Sequence, residues 1–204
     1  MNHKIKTVAL LAALMLNGCQ IPITPNAGGP KEKTIKKGKS GDGFDGFEIW
    51  KGNEMNLKIK FHKNVWYDYG AKFYGDKPLM KCGGLGELGA FYYHDKASAR
   101  NGFCPASSKD SISVGSFVHN GERFVPFFHF AFNVKTEDWY TVRIVLSGDK
   151  YLYTFKYKEK VVNIEEPAGK RFIGYVLGLY GAGENYSAPQ DMTATIIYSS
   201  KEFL

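Results

Sequence analysis

Proline and cysteine are scarce in this chain, at 8 and 3 of 204 residues, and the longest apolar run near the N-terminus, Val8 to Leu16, is only nine residues. Little proline excludes collagen-like and proline-rich disordered classes. A nine-residue run is too short for the ~20 apolar residues of a membrane-spanning helix. No stretch carries a convincing amphipathic-helix period, so a helical bundle is excluded as well. There is no Gly-x-Ser-x-Gly elbow, no Gly-x-x-x-x-Gly-Lys phosphate loop and no Cys-x-x-Cys pair. His62, His94, His119 and His129 are scattered, without metal-ligand spacing, so no metal and no organic cofactor is expected.

Charge of one sign is also missing from most of the chain. The formal net charge is +7, but Lys4, Lys6, Lys31, Lys33, Lys36, Lys37 and Lys39 face only Glu32 within residues 1–39. From Ser40 onward 20 basic and 19 acidic residues remain. A nucleic-acid-binding face needs clustered cations on the domain itself, so that class loses its support.

What is present at the N-terminus is Lys4 and Lys6, then the apolar run, then Leu16-Asn17-Gly18-Cys19. The first features have the form of a secretory signal. The last four residues resemble the lipobox of bacterial lipoproteins, which implies removal of residues 1–18 and lipidation of Cys19. A diacylglycerol and an N-acyl chain such as palmitate would then hold the protein to a membrane, because two or more chains anchor stably where one is marginal. Gln20 after the cysteine implies the outer membrane by the same analogy. Residues 19–42 hold Pro22, Pro25, Pro30 and a lysine run with few large apolar side chains, and read as a flexible basic tether. Export leaves Cys82 and Cys104 as an even pair in an oxidising compartment. A disulfide closing that loop of about 20 residues would contribute on the order of 3 kcal/mol.

The chain as a whole is 44% hydrophobic and 15% aromatic, and across residues 43–204 glycine is frequent and period-two alternation recurs in short segments. Leu57, Ile59 and Phe61 alternate with lysines and a histidine. Tyr140, Val142, Ile144 and Leu146 form a second such set, Tyr151, Tyr153, Phe155 and Tyr157 a third, and Met192 to Tyr198 a fourth. Asn120-Gly121 and Ser147-Gly148-Asp149-Lys150 are hairpin-turn signals. About ten strands of this kind predict an all-β domain, a two-sheet antiparallel sandwich or jelly roll. Trp50, Trp66 and Trp139 are expected in the core. Along Glu122 to Asn133, alternation puts Phe124, Phe128, Phe130 and Phe132 on a core face. Arg123, Val125, Phe127, His129 and Ala131 then lie on the other, where a cation, a ring and an imidazole suit a groove for an acidic sugar polymer.

Three stretches resemble the β-jelly-roll polysaccharide lyases of the alginate and glucuronan lyase type, with a concanavalin-like fold. Tyr69-Gly70-Ala71-Lys72-Phe73 leading to Lys81-Cys82-Gly83-Gly84-Leu85-Gly86-Glu87-Leu88 is similar to their strand and following glycine-rich loop. Asp138-Trp139-Tyr140-Thr141-Val142-Arg143 is similar to their Trp-His-Thr-Val strand. Tyr180-Gly181-Ala182-Gly183 and Ala188-Pro189-Gln190-Asp191-Met192-Thr193 are similar to their closing segment. The resemblance implies β-elimination on a uronic acid. Lys81 or Arg123 would neutralise the carboxylate, His129 would take the C5 proton, and Tyr180 or a tyrosine of residues 151–157 would protonate the leaving oxygen. Phe127 and Arg143 would contact the carbohydrate. The chain departs from the pattern at Gly84, where the family has Lys, and at Phe127 and His129, where it has a Tyr-x-Tyr pair.

Two function classes follow: a lipid-anchored enzyme acting on an acidic polysaccharide, and a non-catalytic lipoprotein holding a glycan or another envelope partner. A purely structural envelope protein is a third. Glu48 with Glu54, or Glu165 with Glu166, has no spacing that argues for a glycosidase pair, and Glu165-Glu166 reads as an exposed loop.

Overall fold

A computed structural model of the chain describes residues 29–41, 49–50, 52–68, 79–87, 97–120, 127–168, 174–180 and 187–203. In chain order its strands are β1 (Lys31–Ile35), β2 (Ile49–Trp50), β3 (Glu54–Phe61), β4 (Met80–Glu87), β5 (Ala97–Pro105), β6 (Ser111–Asn120) and β7 (Phe127–Lys135). They continue as β8 (Trp139–Ser147), β9 (Lys150–Tyr157), β10 (Lys160–Pro167), β11 (Gly174–Val176), β12 (Leu179–Tyr180) and β13 (Met192–Ser199). All the pairings are antiparallel, and they build two sheets. One has six strands in the order β1-β13-β3-β8-β9-β10. The other has seven, in the order β2-β11-β4-β5-β6-β7 with β12 also on β4.

The alternating sequences account for the packing. Met55, Leu57, Ile59 and Phe61 of β3, Tyr140, Val142 and Ile144 of β8, and Tyr151, Tyr153 and Phe155 of β9 are all buried on one side of the six-stranded sheet. They meet Cys82, Leu85, Ala99, Phe103, Ile112, Val114 and Phe132 from the seven-stranded sheet. Phe61 and Phe103 touch across the layer with ring centroids 4.6 Å apart. Each large apolar side chain buried there contributes roughly 1.5–3 kcal/mol. The fold is therefore the all-β jelly-roll sandwich read from the sequence, with β8 and β9 joined at the expected Ser147-Gly148-Asp149-Lys150 turn.

Some expectations are corrected. The proposed disulfide is absent: Cys82 and Cys104 are both buried thiols. Cys82 pairs with Asn101 across β4 and β5, so it shares a face with that residue, whereas Cys104 stands three positions further along β5 and faces the opposite side of the sheet. Neighbouring strands offset by about three residues put the two Cα atoms near 10 Å apart along the strand, beyond disulfide reach. Thiol alkylation of the unfolded, unreduced protein is therefore expected to modify both residues, and protection of both would contradict this arrangement. The stretch expected as a tether through residue 42 includes β1, whose Ile35 is fully buried against the core. The Gly-rich segment after Lys81, expected as a loop, is strand β4 with a bulge between Cys82 and Gly84.

Trp50 is buried, and Trp66 packs at the core's edge while its indole N–H donates to the Ala106 carbonyl. Trp139 differs from the expectation. At 36% exposure it lies on the outer face of the six-stranded sheet, with the Lys58 and Lys60 ammonium groups 5.6 and 5.3 Å from its ring centre. The cross-strand register Lys58↔Thr141 and Lys60↔Trp139 sets those lysines beside the indole.

Candidate functional site

The expected acidic-polymer face along β7 does not form as the alternation implied. Val114 pairs with Phe132, but the next residue, Gly115, pairs with Phe130, so Ala131 is an extra residue in β7. Such a bulge resets the side-chain parity of everything before it. Phe132 stays in the core, while Phe130 turns outward and is 56% exposed. Phe128 lies on the outer side too, since its ring comes within 2.8 Å of where a side chain on Gly102 would begin. His129 is turned the other way, to the rim of the gap between the sheets, where its side chain remains 55% exposed.

At that edge of the sandwich His129 meets Glu166 of β10, its Nδ1 2.7 Å from the carboxylate Oε1. The Ser116 hydroxyl donates to the same oxygen from β6. Glu166 is only 2% exposed. Residues 162, 164 and 166 of β10 share the inward face, so the strand carries the carboxylate into the interior. A buried carboxylate is tolerated only with such partners. Glu165-Glu166 is therefore part of a strand, and the pair His129–Glu166 ties the two sheets together where β7 and β10 form their edges.

The outer face of the seven-stranded sheet holds a different cluster. Register pairs Lys81 with Tyr180 on one side and Gly102 on the other, then Gly102 with Gly115. One step along, Gly84 pairs with Arg100, Arg100 with Phe117 and Phe117 with Phe128; beyond it Ser98 pairs with His119. Residues directly opposite one another share a face, so Lys81, Arg100, Phe117, His119, Phe128 and Tyr180 are gathered on one surface.

The distances agree with the register. The Lys81 ammonium is 4.5 Å from the Phe117 ring centre and 5.3 Å from that of Tyr180. The Arg100 guanidinium carbon is 5.9 Å from the Tyr180 ring. The His119 ring meets Phe117 edge-on at 5.0 Å. Lys81 is 7% and Arg100 2% exposed, and cations so enclosed act on an incoming anion through a lower dielectric than water. Tyr180 is held by β12 against β4, and by an isolated bridge to Gly41. The bulge in β4 brings the strand closer to β5: Gly84 has φ +132°, and a Cβ there would strike the Ala99 carbonyl and Arg100 Cα. Only glycine fits there.

Of the residues expected at a site, the structure thus brings Lys81 and Tyr180 together and directs His129 elsewhere. Arg123 and Cys19 lie outside the described residues. Phe127 is described only as a strand residue paired with Val118. Arg143 belongs to the outer face of the other sheet, where its guanidinium donates twice to Glu54, at 2.9 and 2.8 Å, and holds that carboxyl below its ordinary range. It takes no part in the Lys81 cluster. Arg100 and His119 were not found from the sequence. Strict alternation from Ala99 and Phe103 passes through Arg100 and Gly102 on the outer face, but the inward Asn101 disguises the strand.

No family model matches the chain, and no curated protein matches it. It is similar in structure to an alginate lyase from Klebsiella pneumoniae, at 9% identity over 74% of this chain and 58% of that one, with a TM-score of 0.50. It is similar also to a functionally unknown protein from Saccharomyces cerevisiae, at 9% identity, 84% and 85% coverage and a TM-score of 0.50. An alginate lyase from Pseudomonas aeruginosa aligns at 11% identity over 70% and 60%, with a TM-score of 0.46. The chain spans about 60% of the length of the two alginate lyases. At these identities the likeness is one of fold: the chain has the jelly-roll sandwich of such proteins.

Proposed function

We propose that the outer face of the seven-stranded sheet binds an acidic polysaccharide and cleaves it by β-elimination. The observation that carries this reading is the convergence of Lys81, Arg100 and Tyr180 on one enclosed surface. Two cations beside a phenol suit a uronate unit. Lys81 and Arg100 take its carboxylate, which makes the neighbouring C5 proton more acidic. A base removes that proton, the C–H electrons form the C4–C5 double bond, the C4–O bond breaks, and the Tyr180 hydroxyl donates a proton to the leaving oxygen. His119, on the same face, serves as the base, in the role first expected of His129.

The second reading is a module that holds an acidic glycan without cleaving it. It is favoured by the engagement of His129 with Glu166, which withdraws the imidazole first expected to act as base. Both readings need the cations. Retardation of the full chain in a native gel cast with an acidic polysaccharide, set against one cast with a neutral polymer, tests them together. Retardation by the acidic polymer alone, lost in Lys81→Ala, is expected; equal migration in both gels would contradict it.

We also propose that residues 1–18 are removed and that Cys19 carries the lipid anchor, presenting the domain at the bacterial envelope, on the outer membrane. The Leu16-Asn17-Gly18-Cys19 motif and Gln20 support this.

A further inference from the structure

The bulge in β7 has placed a large aromatic side chain in water. Phe130 is 56% exposed, whereas Phe128 two residues before it is half-buried and Phe132 two residues after it is buried. It falls in the same cross-strand row as Lys81, which runs Lys81↔Gly102↔Gly115↔Phe130 over β4, β5, β6 and β7. The two central positions of that row are glycines, so no side chain stands up from the sheet there. The space over Gly102 is taken by the flat Phe128 ring, beside Phe117. The face is therefore cationic at β4 and β5, aromatic in its middle, where Gly102, Gly115 and Phe117 are buried as a floor, and exposed at β7 through the Phe130 ring. Three strand spacings separate its ends, about 14 Å.

We propose that Phe130 is a stacking platform for a sugar ring remote from the acidic unit held at Lys81, and that it makes the groove selective for chains long enough to span both. This rests on the reading of the Lys81 face as the glycan site. The C–H face of a pyranose is apolar and its rim polar, which matches an exposed phenyl ring beside open water. A monosaccharide seated at Lys81 cannot reach β7. A longer oligosaccharide reaches it, and the ring then adds affinity with no added charge.

Affinities of the full chain for free glucuronate and for graded uronate oligomers prepared from alginate and glucuronan test the proposal. Lys81→Ala, Phe130→Ala and Phe130→Trp are measured beside the unaltered protein, with sedimentation of each. Phe130→Ala is expected to lose about two- to tenfold affinity for the longer oligomers, the span of one aromatic stacking contact, and to keep that for glucuronate and the shortest oligomers. Phe130→Trp should keep both, and Lys81→Ala should lose all. If Phe130→Ala matches the unaltered protein at every length, or loses equally at every length, the platform is wrong while the Lys81 site stands. A change of Phe130→Ala to a smaller sedimenting species, with glycan affinity unchanged, would make the ring a contact between copies and overturn the proposal. Absence of binding by the unaltered protein to every oligomer would overturn the site itself, and the platform with it.

Discussion

Tyr180→Phe is expected to lower the elimination rate by about 10²–10⁴-fold, the usual contribution of a positioned general acid, with little change in affinity for the polysaccharide. The substitution removes one hydroxyl and keeps the ring on which Lys81 and Arg100 lie. Carboxylate neutralisation therefore survives, while the leaving oxygen loses its proton donor. Initial rates and equilibrium binding measured on the same preparation separate the two. A variant that binds weakly but turns over at the normal rate would assign Tyr180 to binding alone.

Gly115→Ala is expected to destabilise the domain by about 1–3 kcal/mol or more, the range for forcing atoms into a filled site. A Cβ at Gly115 would fall on the His129 carbonyl oxygen and against Phe130 Cα, both backbone atoms of β7. Backbone cannot swing aside like a side chain, so β6 and β7 would have to part at the bulge. For a domain of this size each kcal/mol moves the midpoint by roughly 2–4 °C, so a fall of several degrees in thermal melting is the result to look for. The same movement would disturb Phe130 on one side and His129 on the other. An unchanged melting temperature would show that the close approach of these strands is not required.

Gly115 also marks where the sequence stopped being legible. The strands at Leu57–Phe61, Tyr140–Leu146, Tyr151–Tyr157 and Met192–Tyr198 were read directly, because each buries one face against the opposite sheet and leaves the other polar. Nothing in residues 122–133 announces that Ala131 is an extra residue. A run of phenylalanines at every second position reads as one continuous face, and one inserted residue exchanges the faces upstream of it. That single event moved Phe128 and Phe130 outward and sent His129 to Glu166.

The site was hidden for a related reason. Asn101 and Ser116 are fully buried polar residues, and each hydrogen-bonds across the sandwich: the Asn101 amide donates to the Tyr140 hydroxyl, and Ser116 donates to Glu166. Inward positions that look polar break the alternation by which β5 and β6 would be recognised, and with it the outward positions of Arg100 and His119. Partners from the other sheet make those polar positions tolerable, and pairings of such long range are not visible in local sequence. Lys81 and Tyr180 were found through the resemblance of their segments to jelly-roll lyases, while Arg100 needed the register.

The most direct test of the account is the ultraviolet absorbance of unsaturated uronate ends while the full chain is incubated with a panel of acidic polysaccharides, repeated for His119→Ala and His129→Ala. A rise is expected with at least one polymer, lost in His119→Ala and kept in His129→Ala, since His129 serves the sheet edge. A rise that disappears in His129→Ala but survives in His119→Ala, with both variants folded, would contradict the assignment of the active face. A flat trace across the whole panel, with gel retardation retained, would contradict the chemistry and leave a glycan-binding protein.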